Sequence, residues 1–227
     1  SEDIQPLYGN IRDTNYDKEM LKKNSIPHKY TIFDRIDMTN LEVYSIDPIG
    51  CEDADDAFSI YLEQDELFLA IHIADPTEYI NINSELWANI INTLITRYPS
   101  YRKPNHMMPN EIMEKSSLME NVYGNIKKAL TILVKIDKET YSPISKPELL
   151  FTEIKVKKQN AFDYLTASQN IDSIECFKIG LKISEKLQKL RGEETIGVVL
   201  NEVSYAIIQY DKEIPYLYTK TINERLM

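Results

Sequence analysis

The sequence contains little that would mark a secreted or membrane-bound protein. It has 2 cysteines, Cys51 and Cys176, which are too few for a disulfide framework. No apolar run approaches the ~18 residues that a membrane-spanning helix needs. The acidic start of the chain also lacks the basic region and the apolar stretch of a signal peptide. We therefore expect a soluble, intracellular protein.

Positive charge is scarce as well, because 26 Lys and Arg stand against 36 Asp and Glu, for a net charge of −10. This balance argues against a broad basic surface for nucleic acid. It does not exclude a narrow nucleic-acid channel, since such a channel needs only local cations. The chain has no internal repeat and no low-complexity tract. Its 227 residues, 43% of them hydrophobic, can bury a sizeable core in one large globular domain.

Carboxylates are concentrated in one stretch, residues 46–57, with the sequence IDPIGCEDADDA. Its acidic residues are Asp47, Glu52, Asp53, Asp55 and Asp56. The residues before it, 41–46, alternate as in a half-buried strand. Two apolar runs after it, 57–62 and 67–74, predict a β-hairpin that turns at residues 63–66. The carboxylates therefore lie in a loop that follows the end of a strand. Pro48 interrupts strand pairing there, and Gly50 adds backbone freedom. We call residues 47–56 the acidic loop.

Carboxylates held this close together repel one another, and a bound divalent cation relieves the repulsion. Oxygen ligands favour a hard cation such as Mg²⁺, with Mn²⁺ as a substitute. An EF-hand is excluded, because a loop starting at Asp53 puts Phe58 where glycine is needed and Gln64 where the bidentate glutamate belongs. A solvated acidic turn without a ligand is the alternative; the buried strands on both sides favour a site.

The rest of the chain predicts an α+β fold, with mixed sheets and surrounding helices around this single metal-binding loop. Further strands are expected at 129–136 and 144–156, and shorter ones near Val198, 205–208 and 216–218. Helices are expected at 17–23, 84–97 and 172–191, the last closed by Gly192. The predicted buried face of the second helix holds Trp87, Ile90, Ile91 and Leu94, and that of the third holds Ile174, Phe177, Leu181, Leu187 and Leu190.

Two single residues after the acidic loop have both a structural and a functional interpretation. His72 lies on an apolar strand, where a lone histidine is typically a hydrogen-bonded core residue rather than a ligand. Asp75 follows the end of that strand and is expected to support the acidic loop from outside its ligand set.

Residues 98–104 combine aromatic and basic side chains, namely Tyr98, Tyr101, Arg102 and Lys103. Rings that stack on bases, together with cations that meet phosphates, hold single-stranded nucleic acid without reading its sequence. An ordinary surface loop is the alternative, since the chain has 15 tyrosines.

At these residues the sequence resembles the catalytic domain of the RNB family, the ribonuclease II and R type of exoribonuclease. The specific match is Asp47-Pro48 followed by Asp53-x-Asp55-Asp56-Ala57, and then the hairpin that ends in residues 72–76. Weaker matches in the same order lie at residues 35–37, 44–46, 107–109, 117–118 and 129–137. The resemblance implies an RNB-like catalytic domain over residues 31–227, preceded by an extended N-terminal segment, residues 1–30.

The resemblance also implies a function, a metal-dependent hydrolytic 3′-to-5′ exoribonuclease that degrades single-stranded RNA to 5′-monophosphates. In that interpretation Asp47, Asp53 and Asp56 hold Mg²⁺, and Asp55 positions the nucleophile or the leaving oxygen. Tyr98 or Tyr101 takes the place of the tyrosine that stacks on the RNA. The residues alone, without the resemblance, support only metal-assisted phosphodiester hydrolysis.

The chain departs from the family at its C-terminal end, where the segment bearing a phosphate-binding arginine has no match. The catalytic domain is therefore expected to be incomplete there. Three explanations stay open: a piece of a longer polypeptide, a further chain or segment that completes the catalytic channel, or a catalytically inactive RNA-binding or scaffold subunit. A structural Mg²⁺ or Ca²⁺ loop in an unrelated α+β protein is a further alternative.

Overall fold

The computed structural model describes residues 18–24, 34–97, 105–194, 207–211 and 214–218. Its helices are α1 (Lys18–Lys23), α2 (Glu85–Thr93), α3 (Asn110–Ser116), α4 (Tyr164–Gln169) and α5 (Glu175–Glu194). Its strands are β1 (Ile36–Asp37), β2 (Ser45–Asp47), β3 (Asp56–Glu63), β4 (Glu66–Ala74), β5 (Ile126–Ile136), β6 (Glu148–Lys155), β7 (Ala161–Asp163), β8 (Ile207–Asp211) and β9 (Ile214–Tyr218). The predicted domain boundary near residue 30 lies outside the described residues.

The main sheet has five strands in the order β1-β6-β5-β4-β3, and it is antiparallel apart from the parallel pair of β1 and β6. The predicted hairpin of β3 and β4 forms one edge of this sheet, and β5 is its central strand. Gln64 and Asp65 connect the two strands with φ values of 49° and 65°. Two consecutive left-handed residues make the turn type whose twist matches a hairpin. The α+β prediction is confirmed, and so is this hairpin.

The two faces of the sheet are covered by different parts of the chain. Helix α5 packs Ile183 against Leu67, Val134 and Ile136 on one face. On the other face, a second cluster joins sheet residues Ala57, Ala129 and Ile154 to Ala54 of the acidic loop and to Leu118. Full burial of a leucine such as Leu118, which is 2% exposed, stabilises the fold by about 1.5–3 kcal/mol. The acidic loop is thus tied to the core through its one alanine.

A row of hydroxyls and one imidazole crosses the inside of the same sheet. His72 is fully buried, with Nε2 3.0 Å from the Ser59 hydroxyl and Nδ1 2.8 Å from that of Thr131. Thr152 donates to the carbonyl of Ala129, so it accepts from Thr131, 2.7 Å away. Thr131 then accepts from Nδ1–H, and Ser59 donates to Nε2. The prediction of a hydrogen-bonded core histidine is confirmed, and burial lowers the pKa of His72 to about 4.

Helix α2 is shorter than its pattern predicts. Ser84 caps it as expected, because its hydroxyl accepts the N–H of Trp87 at 3.2 Å. The helix ends at Thr93, and Leu94 leaves it with a φ of 65°. The buried face is Leu86 and Ile90, whereas Ile91 is 45% exposed and Leu94 71% exposed. The assignment of Ile91 and Leu94 to the core was wrong. The buried residues Leu86 and Ile90, one turn apart, pack in a cluster with Ile112 of α3.

Other predicted boundaries also move. Strand β2 begins at Ser45, later than predicted, although Tyr44 forms a bridge to Phe58. Strand β6 begins at Glu148 because Pro147, which lacks an N–H, precedes the ladder instead of lying within it. Helix α5 continues through Gly192 to Glu194, so the predicted stop was wrong. The predicted strand near Val198 lies outside the described residues, and the last two strands form the hairpin of β8 and β9.

Candidate active site

Asp47 enters the site at the end of β2, which pairs in parallel with β7 and places Asp47 opposite Asp163. The two carboxylates differ in their partners. Asp163 caps helix α4 and accepts hydrogen bonds of 2.8 Å from both the N–H and the hydroxyl of Thr166. Asp47 Oδ2 is buried and has no hydrogen-bond partner, the one side-chain atom of this kind in the described part of the chain. A buried carboxylate oxygen without a partner is costly, and it is a natural ligand.

The next four residues form a tight turn in which the N–H of Cys51 donates to the carbonyl of Pro48 at 3.0 Å. Gly50 occupies the third position of this turn with a φ of 79°. No atom lies within 4 Å of the place where a Cβ would stand, so conformation and not space requires the glycine. Cys51 is a free thiol whose Sγ donates to the carbonyl of Asp53. It serves the loop backbone in this arrangement.

The backbone of the acidic loop is then anchored in the core. Ala54 is 0% exposed; its N–H donates to the Ser117 hydroxyl at 3.2 Å, and its carbonyl accepts from the N–H of Leu118 at 2.8 Å. The carbonyl of Asp55 accepts from the N–H of Ala74 at 2.8 Å. The peptide groups are therefore fixed, while the carboxylates of Asp55 and Asp56 are exposed.

The charges of the acidic loop are not neutralised by an ion pair within the described part of the chain. Among the described residues, no lysine or arginine forms an ion pair with an acidic side chain of the loop. Burial raises the pKa of Asp47; the charges of Asp56 and Asp55 add to this effect and a hydrogen bond from Ser45 opposes it. Partial desolvation, together with the charges of Asp53 and Asp56, raises the pKa of Asp55. An added cation would stabilise the ionised forms of both Asp47 and Asp55.

The ligand chemistry of the loop fits a hard divalent cation. Its candidate ligands are carboxylate oxygens, one of which is buried without a partner. As the side chains of residues 21–24, 34–97 and 105–191 stand, no three His, Cys, Asp or Glu form a group that could hold a metal ion. Asp55 and Asp56 are exposed, so they can change rotamer without displacing packed neighbours. Completing a coordination shell therefore requires side-chain rearrangement, and the assignment of Asp47, Asp53 and Asp56 stays a prediction.

The structure gives Asp75 a different role from the expected one. Its carboxylate binds the Arg35 guanidinium at 2.6 Å and the N–H of Thr77 at 3.2 Å. Glu78 binds the same guanidinium at 2.9 Å. Asp75 thus belongs to an ion cluster with Arg35 and Glu78, which we call the arginine cluster. Only the backbone of the neighbouring Ala74 reaches the acidic loop.

The predicted RNA contacts, Tyr98, Tyr101, Arg102 and Lys103, lie outside the described residues. The two ends of their loop are described. Arg97 and Asn105 exchange backbone hydrogen bonds of 2.9 and 2.8 Å, which bring residues 97 and 105 together. Helix α3 follows, and its end leads directly to Ser117 and Leu118 beside Ala54. A short path of chain therefore separates the base of this loop from the acidic loop.

Comparison with protein families matches residues 35–213 to the RNB domain. The chain belongs to the RNB family. It is 31% identical over 148 residues to Exoribonuclease 2 of Mannheimia succiniciproducens, which covers 60% of this chain and 22% of that protein. It is 42% identical over 82 residues to Exoribonuclease 2 of Proteus mirabilis, which covers 35% of this chain and 12% of that protein. The family assignment inferred from the acidic loop is confirmed.

Solved structures show the same fold. RNase R of Mycoplasma genitalium, in complex with ribose-methylated single-stranded RNA, superposes with a TM-score of 0.69 at 19% identity, covering 92% of this chain and 33% of that one. Yeast Ssd1, a pseudonuclease, superposes with a TM-score of 0.62 at 15% identity, covering 75% of this chain and 21% of that one. The chain thus spans a third or less of the length of these relatives. No described helix has both the length and the hydropathy to cross a membrane.

Sequence reasoning missed two features of the site. The anchoring of Ala54 by Ser117 joins residues 63 positions apart, and the bond from Arg35 to Asp75 spans 40 positions. Both Ser117 and Arg35 lie in stretches that resemble the RNB family, and that likeness was the only signal in the sequence. No periodicity predicts such contacts, because they depend on how the strands come together.

Proposed function

We propose that the RNB domain of this chain carries out metal-dependent hydrolysis of single-stranded RNA, in the 3′-to-5′ direction and with 5′-monophosphate products. The observation that carries the proposal is the buried, unpartnered Oδ2 of Asp47 in a carboxylate loop to which the described protein supplies no cation. Mg²⁺ is the proposed ion, with Mn²⁺ as a substitute. The names of the Exoribonuclease 2 relatives support RNA as the substrate.

In this proposal Asp47, Asp53 and Asp56 hold the ion. Mg²⁺, when bound, supplies Lewis-acid polarisation of the scissile phosphate and a lower pKa for a coordinated water. Asp55 positions the attacking water or the leaving oxygen by hydrogen bonding. Its exposed carboxylate is free for this role, while its backbone carbonyl is held by Ala74. The fixed backbone limits the reorganisation that the reaction would otherwise need.

We further propose that Tyr98, Tyr101, Arg102 and Lys103 grip the RNA, by stacking and by phosphate contacts. The base of their loop connects through α3 to Ser117, which bonds to Ala54 of the acidic loop, and this connection supports the placement. A further chain or segment is proposed to complete the catalytic channel, because the relatives extend well beyond the part that this chain matches. Tyr101→Ala should then weaken single-strand binding, or change the shortest product, while the response to Mg²⁺ stays the same.

The test of the function is a time course on single-stranded RNA labelled at its 5′ end, with Mg²⁺ and with EDTA. A ladder that shortens from the 3′ end, only when Mg²⁺ is present, is the expected result. The longer polypeptide, or the chain with its completing segment, should be assayed beside this chain. RNA that stays intact in every preparation, or that is cut internally, contradicts the proposal.

A catalytically inactive RNA-binding or scaffold subunit is the second candidate. The observation in its favour is the likeness to yeast Ssd1, a pseudonuclease, whose fold matches at a TM-score of 0.62. The two candidates differ in one measurement. Binding of the labelled RNA without any product, in the completed protein with Mg²⁺, favours the scaffold.

A further inference from the structure

Ser117 is the described side chain that joins helix α3 to the middle of the acidic loop. It is 2% exposed, and its hydroxyl accepts the N–H of Ala54 at 3.2 Å and that of Met119 at 3.3 Å. The N–H of Leu118 donates to the carbonyl of Ala54 at 2.8 Å. Ala54 therefore has both its backbone groups bound to two consecutive residues of one segment.

These two bonds orient more than Ala54. Its N–H belongs to the peptide plane shared with Asp53, and its carbonyl to the plane shared with Asp55. Because each peptide is planar, fixing both groups restricts ψ of Asp53 and φ of Asp55. Those angles set the directions of the two Cα–Cβ bonds. The Cα–Cβ directions of Asp53 and Asp55 are thus set by a contact that neither side chain makes.

Ser117 is itself held firmly. Its N–H donates to the carbonyl of Met113 at 2.8 Å in the last turn of α3. The carbonyl of Glu114 in the same turn accepts from the Nζ of Lys127, at 3.4 Å, and from the side-chain amide of Asn121, at 2.6 Å. Lys127 is 1% exposed and burial lowers its pKa; its Nζ also donates to the side-chain oxygen of Asn121 at 3.1 Å. The anchor therefore has a rigid base.

We propose that Ser117 is a positioning residue of the active site, whose hydroxyl sets the acidic loop in the conformation that presents Asp53 to the metal ion and Asp55 to the RNA phosphate. The inference rests on the proposed function, since it names the residue that prepares that site. It assigns no contact between Ser117 and the ion or the substrate. Its effect passes through the peptide groups on either side of Ala54.

The test compares Ser117→Ala with Ser116→Ala in the full chain. Ser116 is a matched control, because it is also buried, at 4% exposed, and its hydroxyl donates to the carbonyls of Ile112 and Met113 within α3. Mg²⁺ binding is measured from the rise in melting temperature during a titration. Ser117→Ala is expected to weaken Mg²⁺ binding by about tenfold, the scale seen when residues that orient ligands are changed. Ser116→Ala is expected to bind Mg²⁺ as the parent does.

A second pair separates the hydroxyl from the shape of the side chain. Ser117→Thr and Ser117→Val add nearly the same volume, and only the first keeps an acceptor for the N–H of Ala54. Thr should therefore bind Mg²⁺ more tightly than Val by about tenfold, on the same scale. Equal Mg²⁺ binding by these two variants, with melting temperatures lowered alike, would show a purely structural role and overturn the inference.

Amide hydrogen exchange without added metal separates this inference from the proposed function. Ser117→Ala should speed exchange across residues 53–56, whereas Ser116→Ala should not. If the parent protein shows no response to Mg²⁺ but the loop still opens in Ser117→Ala, the proposed function fails and the positioning role stands. If the parent responds to Mg²⁺ while Ser117→Ala matches it in Mg²⁺ binding and in exchange, the function stands and this inference is wrong.

Discussion

Two groups of acidic side chains lie at the same end of the main sheet and are treated in opposite ways. In the arginine cluster, Asp75 and Glu78 share the guanidinium of Arg35, which also donates to the carbonyls of Ala129 and Thr152 at 3.2 and 3.3 Å. The guanidinium further lies over the Phe151 ring, 5.8 Å from its centroid. In the acidic loop, no described cation pairs with any carboxylate. Arg35 is thus paired with Asp75 and Glu78 and not with the acidic loop.

The difference distinguishes carboxylates that are paired within the fold from carboxylates that the described residues leave unpaired. Asp75 is 2% exposed on its side chain, and burial of a carboxylate is costly unless it is paired, as it is here with Arg35. In the acidic loop only Asp55 and Asp56 among the aspartates are exposed, and the pKa values of Asp47 and Asp55 are raised. The two groups are linked through consecutive residues. The N–H of Ala74 donates to the carbonyl of Asp55 in the acidic loop, and Ala74 precedes Asp75 of the arginine cluster. The arginine cluster and the acidic loop are therefore adjacent along the backbone, and no described side-chain contact joins them.

The largest expected effect is on the chemistry of the acidic loop. Asp55→Asn keeps the size of the side chain and removes its charge, so in the completed enzyme the rate of RNA cleavage should fall by about 10²–10⁴-fold. RNA affinity should stay level or improve, because a negative charge near the phosphate is lost. Single-turnover cleavage and a binding titration measure the two quantities. Cleavage near the parent rate would remove Asp55 from the reaction.

Breaking the arginine cluster should affect stability instead. Arg35→Ala leaves the buried carboxylate of Asp75 without its partner, and the free energy of unfolding should fall by about 3–5 kcal/mol. Urea unfolding measures the loss. Arg35→Lys, which keeps the charge but cannot reach both carboxylates and both carbonyls, should lie between the parent and the alanine variant. A loss below about 1 kcal/mol, the scale of an exposed ion pair, would mean that the cluster is only a surface feature.

His72 provides a separate control on pH effects. Its pKa is about 4 in the folded protein against an ordinary 6.5, so the unfolded chain binds a proton first as pH falls. The stability contributed by neutral His72 is therefore fully present above pH 6.5. It decreases as the pH falls from 6.5 to about 4, by up to about 3 kcal/mol near pH 4. His72→Gln cannot titrate, and its unfolding free energy should change less between pH 7.5 and 4.5. Identical slopes in the two proteins would assign the acid sensitivity to other groups.

The sequence allowed the acidic loop, the β3–β4 hairpin and helix α5 to be predicted because each depends on neighbours in the chain. Alternation of apolar residues specifies a hairpin, and a long amphipathic period specifies a helix. The core histidine was predictable for the same reason, since its strand is apolar on both sides. Helix α2 was predicted in existence but not in extent, because Leu94 ends it through a left-handed φ that its residue type does not indicate.

The supports of the site were not predictable in this way. Arg35 reaches Thr152, 117 positions away, and Ala54 reaches Ser117 only after α3 has packed against the sheet. Asp75 was expected beside the acidic loop, yet the strand order brings Arg35 of the N-terminal part over its carboxylate. Such contacts follow from topology and register, which a local pattern does not contain.

The smallest expected effect is that of Asp47→Asn on the free energy of unfolding, and its sign reverses when metal is added. Its folded pKa lies above the ordinary 3.8, so ionisation costs more in the folded state than in the unfolded state. That penalty is fully present above the raised pKa and disappears below pH 3.8. Without metal at pH 7, Asp47→Asn should therefore stabilise the protein, by less than about 1 kcal/mol because nearby water screens the loop. With Mg²⁺ at 100 times its dissociation constant, the parent should gain about 2.7 kcal/mol and the variant much less.

Asp163→Ala, which removes the satisfied carboxylate opposite Asp47, should lower stability under both conditions. Unfolding of the three proteins with and without Mg²⁺ decides the matter, and an Asp47→Asn variant that keeps the full Mg²⁺ gain would show that Asp47 is not a ligand.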